Sequence, residues 1–216
     1  MKIIRVLCVF SIIAVCAGCA GTAQNISRPV IEKIEKLSQE NQELIRAKAL
    51  LEDRLSREIN DNQVKLKMME KGLVISFIAD ILFDSGNAKL RPESYPALDK
   101  VAEVLKGVAQ SKIGIEGHTD DQPIKYSSWK SNWELSAARA LGILHYLIDK
   151  CGIEPFRLSV SAFGEYRPVA ANGTKEGSQL NRRVEIVILP DFNKSHTGIQ
   201  QPDAGKFSEQ PVDILK

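Results

Sequence analysis

The chain has 216 residues, 44% of them hydrophobic and 26% charged, with 14 glycines and 9 prolines. This is the composition of a folded chain of one or two domains, and it argues against a wholly disordered, collagen-like or disulfide-scaffold protein. A formal charge of only +2 and an aromatic content of 6% give no support to nucleic-acid binding, which needs a basic field or a stacking platform.

Residues 1–19 read MKIIRVLCVFSIIAVCAGC. Lys2 and Arg5 form a positive start, and Val6 to Val15 is an apolar run of secretory-signal length. Ala17-Gly18-Cys19 then resembles a bacterial lipobox, although Cys16 stands where an aliphatic residue is usual. The resemblance implies removal of a signal peptide, 1–18, and a lipid on Cys19, with 19–23 as the lipidated N-terminus. Ala20 replaces the Asp that retains such proteins at the inner membrane, which implies the outer membrane. The competing reading is an uncleaved span, diluted by Arg5, Ser11 and two glycines. Removing 1–18 takes away Lys2 and Arg5 and no acid, so the whole +2 excess belongs to the signal. It also leaves two of the four cysteines, Cys19 and Cys151. With Cys19 acylated, Cys151 is expected as a free thiol.

Residues 24–71 are rich in Glu, Gln, Lys, Arg, Leu and Asn, with no Gly before Gly72. Val30, Ile34, Leu37, Asn41, Leu44, Lys48, Leu51 and Leu55 recur at alternating spacings of four and three, a heptad seam with polar residues at two a positions. A four-residue stutter carries the pattern through Ile59, Leu66, Met69 and Leu73. The expectation is a coiled-coil helical spacer over 24–71 that joins copies of the chain. A helix of that length reaches roughly 70 Å. The same seam would also suit a long helix packed on its own domain.

The folded domain is expected over 72–190. Leu73 to Ala79 reads as a β-branched strand and Phe83 to Asn87 as a turn. Pro92 or Pro96 opens a helix with Leu98, Val101, Leu105 and Val108 on its apolar face. Lys112 to His118 is a second strand, followed by a loop over 119–131. Trp133 to Lys150 is a second helix, with Leu141, Leu144 and Ile148 as its apolar stripe and Gly152 just past its end. Leu158, Val160 and Ala162 mark a third strand, 164–181 a Gly/Asn-rich connection, and Val184, Ile186 and Ile188 a fourth strand. The class is α+β, a β-α-β-α-β-β two-layer sandwich with two helices on a mixed four-stranded sheet. Residues 191–216 are polar and aperiodic, a disordered tail by composition.

Five blocks carry the chemistry: FDSGNAKL at 83–90, EGHTDD at 116–121, SNWELSAARA at 131–140, FGEYRPV at 163–169 and NRRVEI at 181–186. In this order they resemble the OmpA/MotB-type peptidoglycan-binding domain, over a little more than half the chain. The 121–131 insertion resembles the MotB branch. The resemblance implies a non-catalytic site for the peptide stem of the cell wall. Asp120 and Arg139 would hold the terminal centre of diaminopimelate, with Thr119 and Asn132 beside them and Arg183 as a third polar contact. The chemistry fits: an ammonium and a carboxylate on one carbon need one acid and one base, and Arg presents a planar fork. Asn132 and Arg139 lie seven apart on one helix face and are expected at a rim. As a plain ion pair, Asp120 and Arg139 would be structural instead.

His118 with Asp120 and Asp121 is too little for a metal or acid–base site, because no HExxH, CxxC or phosphate loop accompanies it. No cofactor and no enzyme activity are expected. Trp129 and Trp133 flank the site loop and either pack it or contact wall material. MotB-type stators carry an intramembrane Asp, whereas residues 1–24 contain no acid at all. The sequence therefore reads as a lipid-anchored protein of the outer membrane, its domain facing the periplasm, that tethers the membrane to peptidoglycan. The alternative is an inner-membrane-anchored MotB-like envelope or stator-associated protein.

Overall fold

The computed structural model describes residues 28–124 and 128–190. The expectations for the signal peptide, Cys19 and the C-terminal tail lie outside these residues. Contacts divide the chain into two units, residues 1–39 and 40–216.

The second unit is α+β, built on a mixed sheet of five strands. Strands β1 (Val64–Met69), β2 (Gly72–Ile78), β3 (Lys112–His118), β4 (Leu158–Ala162) and β5 (Arg183–Leu189) lie in the order β1-β2-β5-β3-β4. Only β3 and β4 run parallel. Four of the strands are those expected, and β1 is the addition. It pairs with β2 as a hairpin through Glu70 and Lys71, with Met69 opposite Gly72.

The hairpin corrects the spacer. Helix α1 (Arg28–Arg54) and the short α2 (Ser56–Asn60) end the helical stretch. Asn62 then takes a left-handed φ of 57° and turns the chain into β1. The reason is visible in the residues: Val64 and Leu66 alternate with Lys65 and Lys67, a period of two that suits a half-buried strand. Gly72 is required at the corner, with φ 118° and Ile188 O only 2.1 Å from where a Cβ would stand.

The heptad seam also divides. Leu44, Ala47, Leu51 and Leu55 are buried in the domain core, so this half of α1 packs on its own domain and not on a second chain. Val30, Ile34 and Leu37 are exposed. Lys48, a seam position, instead pairs with Glu52. Lys100 binds Glu58 at 2.8 Å, and Arg54 pairs with Glu103, which fastens α1 and α2 to α4 (Tyr95–Gly107).

Leu98, Val101 and Leu105 of α4 meet Leu73, Ile75, Ile113, Ile115, Val184 and Ile186 of the sheet in one core. Helix α5 (Asn132–Asp149) joins β3 to β4 and buries Ala140, Ile143 and Leu147 there. Its apolar stripe is thus rotated from the expected one, and Leu141 is exposed. Small Ala140 lets the helix approach the sheet more closely than the leucines would. Gly117 shows the same constraint: a Cβ there would fall 2.1 Å from Ser136 O. Ser131 caps α5 by accepting from Glu134 N at 3.3 Å, while Glu134 accepts from Lys130 N at 2.8 Å. At the other end Gly152 (φ 70°) and Ile153 return their N–H groups to Ile148 O and Leu147 O. Two short helices were not expected: α3 (Ala79–Leu82) after β2, and α6 (Lys175–Asn181) inside the 164–181 connection. Among the described residues no helix is long and apolar enough to cross a membrane.

Truncating Leu51 to Ala is expected to cost about 2–5 kcal/mol of domain stability. Ile34→Ala is expected to cost less than about 0.5 kcal/mol, as exposed positions do. Urea unfolding of the two variants measures the difference.

Candidate functional site

The C-terminal end of β3, the start of α5 and the ends of β2 and α6 meet around a cleft of about 750 Å³. Thr119 and Asp120 leave β3 directly into it. Thr119 N donates to Gly164 O at 2.9 Å, fixing the strand end to the loop after β4. Both residues are buried. The Asp120 carboxylate accepts from Arg182 Nη1 at 2.8 Å through one oxygen and from Gln122 N at 3.3 Å through the other. Arg182 also forks onto Asp80 of α3, with Nη2 at 3.0 Å and Nε at 3.3 Å from its two oxygens. One guanidinium therefore bridges two carboxylates.

Arg139 is only 3% exposed, buried beside the cleft rather than at a rim. Its Nε donates to Asn87 O at 2.9 Å, and its guanidinium lies over the Phe83 ring at 5.3 Å. Among the described residues Nη1 has no hydrogen-bond partner. Burial pushes the Arg139 pKa down to about 10; the negative charge of Asp80 opposes the shift, and Arg182 adds to it. The group stays charged at neutral pH. Arg182 is held above its ordinary value, chiefly by the hydrogen bond to Asp80. Asn132 donates to Glu165 at 2.6 Å and to Gln122 O at 3.2 Å, closing one edge of the cleft. On the facing edge Trp129 Nε1 donates to Gly86 O at 2.9 Å.

The structure thus brings together Thr119, Asp120, Asn132 and Arg139. It does not bring Arg183. Strand alternation turns Arg183 to the opposite face of the sheet, where Nε binds Glu185 at 2.7 Å and Nη2 reaches Arg167 O at 3.2 Å. Its neighbour Arg182 occupies the cleft instead. Period-two logic contains that signal, because Arg182 and Val184 share a parity and Val184 faces the helices. Asp80 had no comparable sequence signal. Asp120 and Arg139 are not paired with one another: Asp120 pairs with Arg182, while Arg139 is held by a backbone carbonyl and a ring face.

Behind the sheet lies a second polar cluster. Lys71 Nζ sits 2.6 Å from Glu116 and 2.8 Å from Glu185. Burial alone would raise the Glu185 carboxyl, but hydrogen bonds from Lys71 and Arg183 hold it below its ordinary value. His118 is buried beside them, against the Phe163 ring at 5.2 Å. The ligand atoms of Glu116, His118 and Glu185 lie within 4.8 Å of one another. The ammonium of Lys71 already takes the position between the carboxylates that a metal cation would take.

The OmpA family model matches residues 82–182, the stretch that holds most of this cleft. Residues 82–182 are an OmpA-family domain. Motility protein B of Bacillus subtilis (strain 168) is 38% identical over 151 residues, which cover 70% of this chain. The chain spans 58% of that relative's own length. The solved structure of the cell wall anchor of the T6SS from Pseudomonas aeruginosa superposes with a TM-score of 0.60 at 31% identity, covering 65% of this chain and 97% of that one. A MotB-like protein from Desulfovibrio vulgaris gives 0.64 at 26% identity, covering 75% and 98%. The packed half of α1, β1 and β2 precede the matched region, and β5 follows it.

The His118 environment generates a pH prediction. Burial, reinforced by the charge of Arg183, lowers the His118 pKa from 6.5 to about 3. Between these values the unfolded chain binds a proton that the folded chain does not, so stability falls as pH falls from about 6.5. The charges of Arg183, Glu185, Lys71 and Arg167 act on the ring, and Glu116 lies 3.9 Å from its Nε2. Thermal unfolding from pH 7 to 5 is expected to show the decline in the wild type and a flatter profile in His118→Gln.

Proposed function

We propose that the chain is a non-enzymatic peptidoglycan-binding protein of the cell envelope whose cleft takes the zwitterionic end of diaminopimelate in the wall's peptide stem. The observation that carries this reading is the composition of the cleft. Asp80, Asp84 and Asp120 line it with Arg91, Arg139 and Arg182, three acids against three bases, and among the described residues Arg139 Nη1 lacks a hydrogen-bond partner. A ligand centre with an ammonium and a carboxylate brings no net charge into such a site. Its carboxylate suits the Arg139 fork, and its ammonium suits the acidic side. A buried donor left unmatched costs about 1–3 kcal/mol, which a bound carboxylate would recover. Membership of the OmpA family, whose domains bind peptidoglycan, supports the same reading, as does the likeness to a cell wall anchor. Among the described residues the cleft presents a charge-matched set of acids and bases, which supports retention of a zwitterion.

At the membrane end, similarity to motility protein B supports the inner-membrane-anchored, MotB-like placement. The absence of any acid from residues 1–24 leaves that segment without a proton-carrying group, so the proposed role is anchoring to the wall, not ion conduction. The string Ala17-Gly18-Cys19 supports the second placement, a lipid on Cys19 and an outer-membrane tether. Metabolic labelling with an alkyne fatty acid separates them: an unlabelled chain in the inner-membrane fraction supports the first, and a label that Cys19→Ser removes supports the second. Self-association through the exposed Val30, Ile34 and Leu37 would use only the part of the heptad seam that the domain leaves open.

Asp120→Ala and Arg139→Ala are each expected to lose about 2–5 kcal/mol of binding, because the charge left behind is unpaired in a partly desolvated cleft. Arg139→Lys fails similarly, since an ammonium lacks the fork. Arg183→Ala retains binding while lowering stability. Pull-down of the full-length variants on diaminopimelate-containing and lysine-containing walls measures all four. Normal retention of folded Asp120→Ala and Arg139→Ala would place the site elsewhere, and release of muropeptides would make the protein a hydrolase.

A further inference from the structure

Trp133 and Tyr166 stand out from the other aromatic residues beside the cleft. Trp133 is 47% exposed and Tyr166 is 65% exposed, yet their rings stack on each other, centroids 5.4 Å apart and planes inclined by 25°. Trp129, by contrast, is turned down onto Gly86 O. Two large rings held together in water form a preassembled apolar surface, and apolar surface exposed beside a binding cleft marks a contact region.

The position of the pair is set by the cleft itself. Trp133 follows Asn132, and Tyr166 follows Glu165, and these two predecessors share the 2.6 Å hydrogen bond that closes the cleft edge. The backbones meet there as well: a Cβ on Gly164 would lie 3.5 Å from Trp133 N. Arg167, the next residue, is folded away over the Phe163 ring at 3.7 Å. The platform therefore presents ring faces without a cation on top.

Stacked, uncharged aromatic faces suit the C–H face of a pyranose, a neutral ring that is apolar on its faces and polar at its edges. The proposed stem ligand is attached to such a sugar. Diaminopimelate is the third residue of the stem, so the sugar lies roughly 10 Å away along an extended peptide. We infer that Trp133 and Tyr166 form a sugar subsite that stacks an amino-sugar ring of the glycan strand while the cleft holds the stem. This deepens the proposed peptide site and rests on it. In effect the protein would read the junction of glycan and peptide, and not the peptide alone.

Calorimetric titration of the full-length chain in detergent tests this with two probes: the diaminopimelate-containing stem tripeptide alone, and the same tripeptide attached to its disaccharide. The wild type is expected to bind the sugar-bearing probe more tightly. The double variant Trp133→Ser/Tyr166→Ser is expected to lose about fivefold to tenfold on that probe and to keep its affinity for the bare stem. Tyr166→Ser alone, at the more exposed ring, should show the same selective loss in smaller measure and guards against misfolding of the double variant. Equal wild-type affinity for the two probes, or equal losses on both in the folded variants, overturns the sugar subsite while leaving the peptide site in place. A wild type that binds neither probe overturns the peptide site and the sugar subsite together.

Discussion

The cleft depends on one guanidinium. Arg182 reaches Asp120 at the end of β3 and Asp80 at the start of α3, so it joins two segments that the sheet alone would leave as separate strand ends. It also places a positive charge between two carboxylates, buried Asp120 and exposed Asp80. One guanidinium offsets only one of these two carboxylates, and the buried base Arg139 stands outside the pairing. It is held in place by Asn87 O and the Phe83 ring and not by a carboxylate. A buried cation with unspent donor capacity is unstable by itself, and the fold tolerates it because α5 is fixed so tightly to the sheet. Gly117 and Ser136 are in backbone contact, the N-terminus of α5 is capped twice, and its C-terminus closes on Gly152. The strain of the site is carried by the packing around it.

Much of this was legible in the residues. The strands around Leu73, Ile113, Val160 and Ile186 announce themselves by β-branched alternation, and α4 and α5 by their caps and length. What the pattern does not name is the partner of an apolar face. Leu44, Leu51 and Leu55 have the same heptad spacing whether they meet a second helix or their own domain, and the domain took them. Strand β1 was hidden for a related reason. Leu66 and Met69 extend a heptad on paper, while Val64, Leu66 and the lysines between them also alternate with period two, and the pairing with β2 decided between the two readings. In α5 the leucines outweigh the alanines in hydrophobicity, but close approach to the sheet selects Ala140 and Ile143.

For the site, Thr119, Asp120, Asn132 and Arg139 were legible because each lies in a local string with its own turn or helix chemistry. Asp80 and Arg182 lie 102 residues apart and become partners only through the strand order β2-β5-β3. The choice between Arg182 and Arg183 was a parity question. Arg183 belongs to the other face, where it and Lys71 satisfy Glu116 and Glu185 in a cluster that stabilises the fold. Thus a single dipeptide supplies one arginine to each side of the sheet.

The claim that the cleft recognises a zwitterion on one carbon, and not charge in general, is tested most directly by changing the ligand and leaving the protein untouched. The measurement is the affinity of the full-length wild-type chain for a stem peptide ending in free diaminopimelate, compared with the same peptide amidated at the terminal carboxylate. The amide keeps the ammonium and the shape but removes the anion meant for Arg139. Loss of one charge-assisted pair predicts at least about tenfold weaker binding of the amide. Equal affinity for the two peptides would contradict the assignment of Arg139 and, with it, the proposed reading of the cleft.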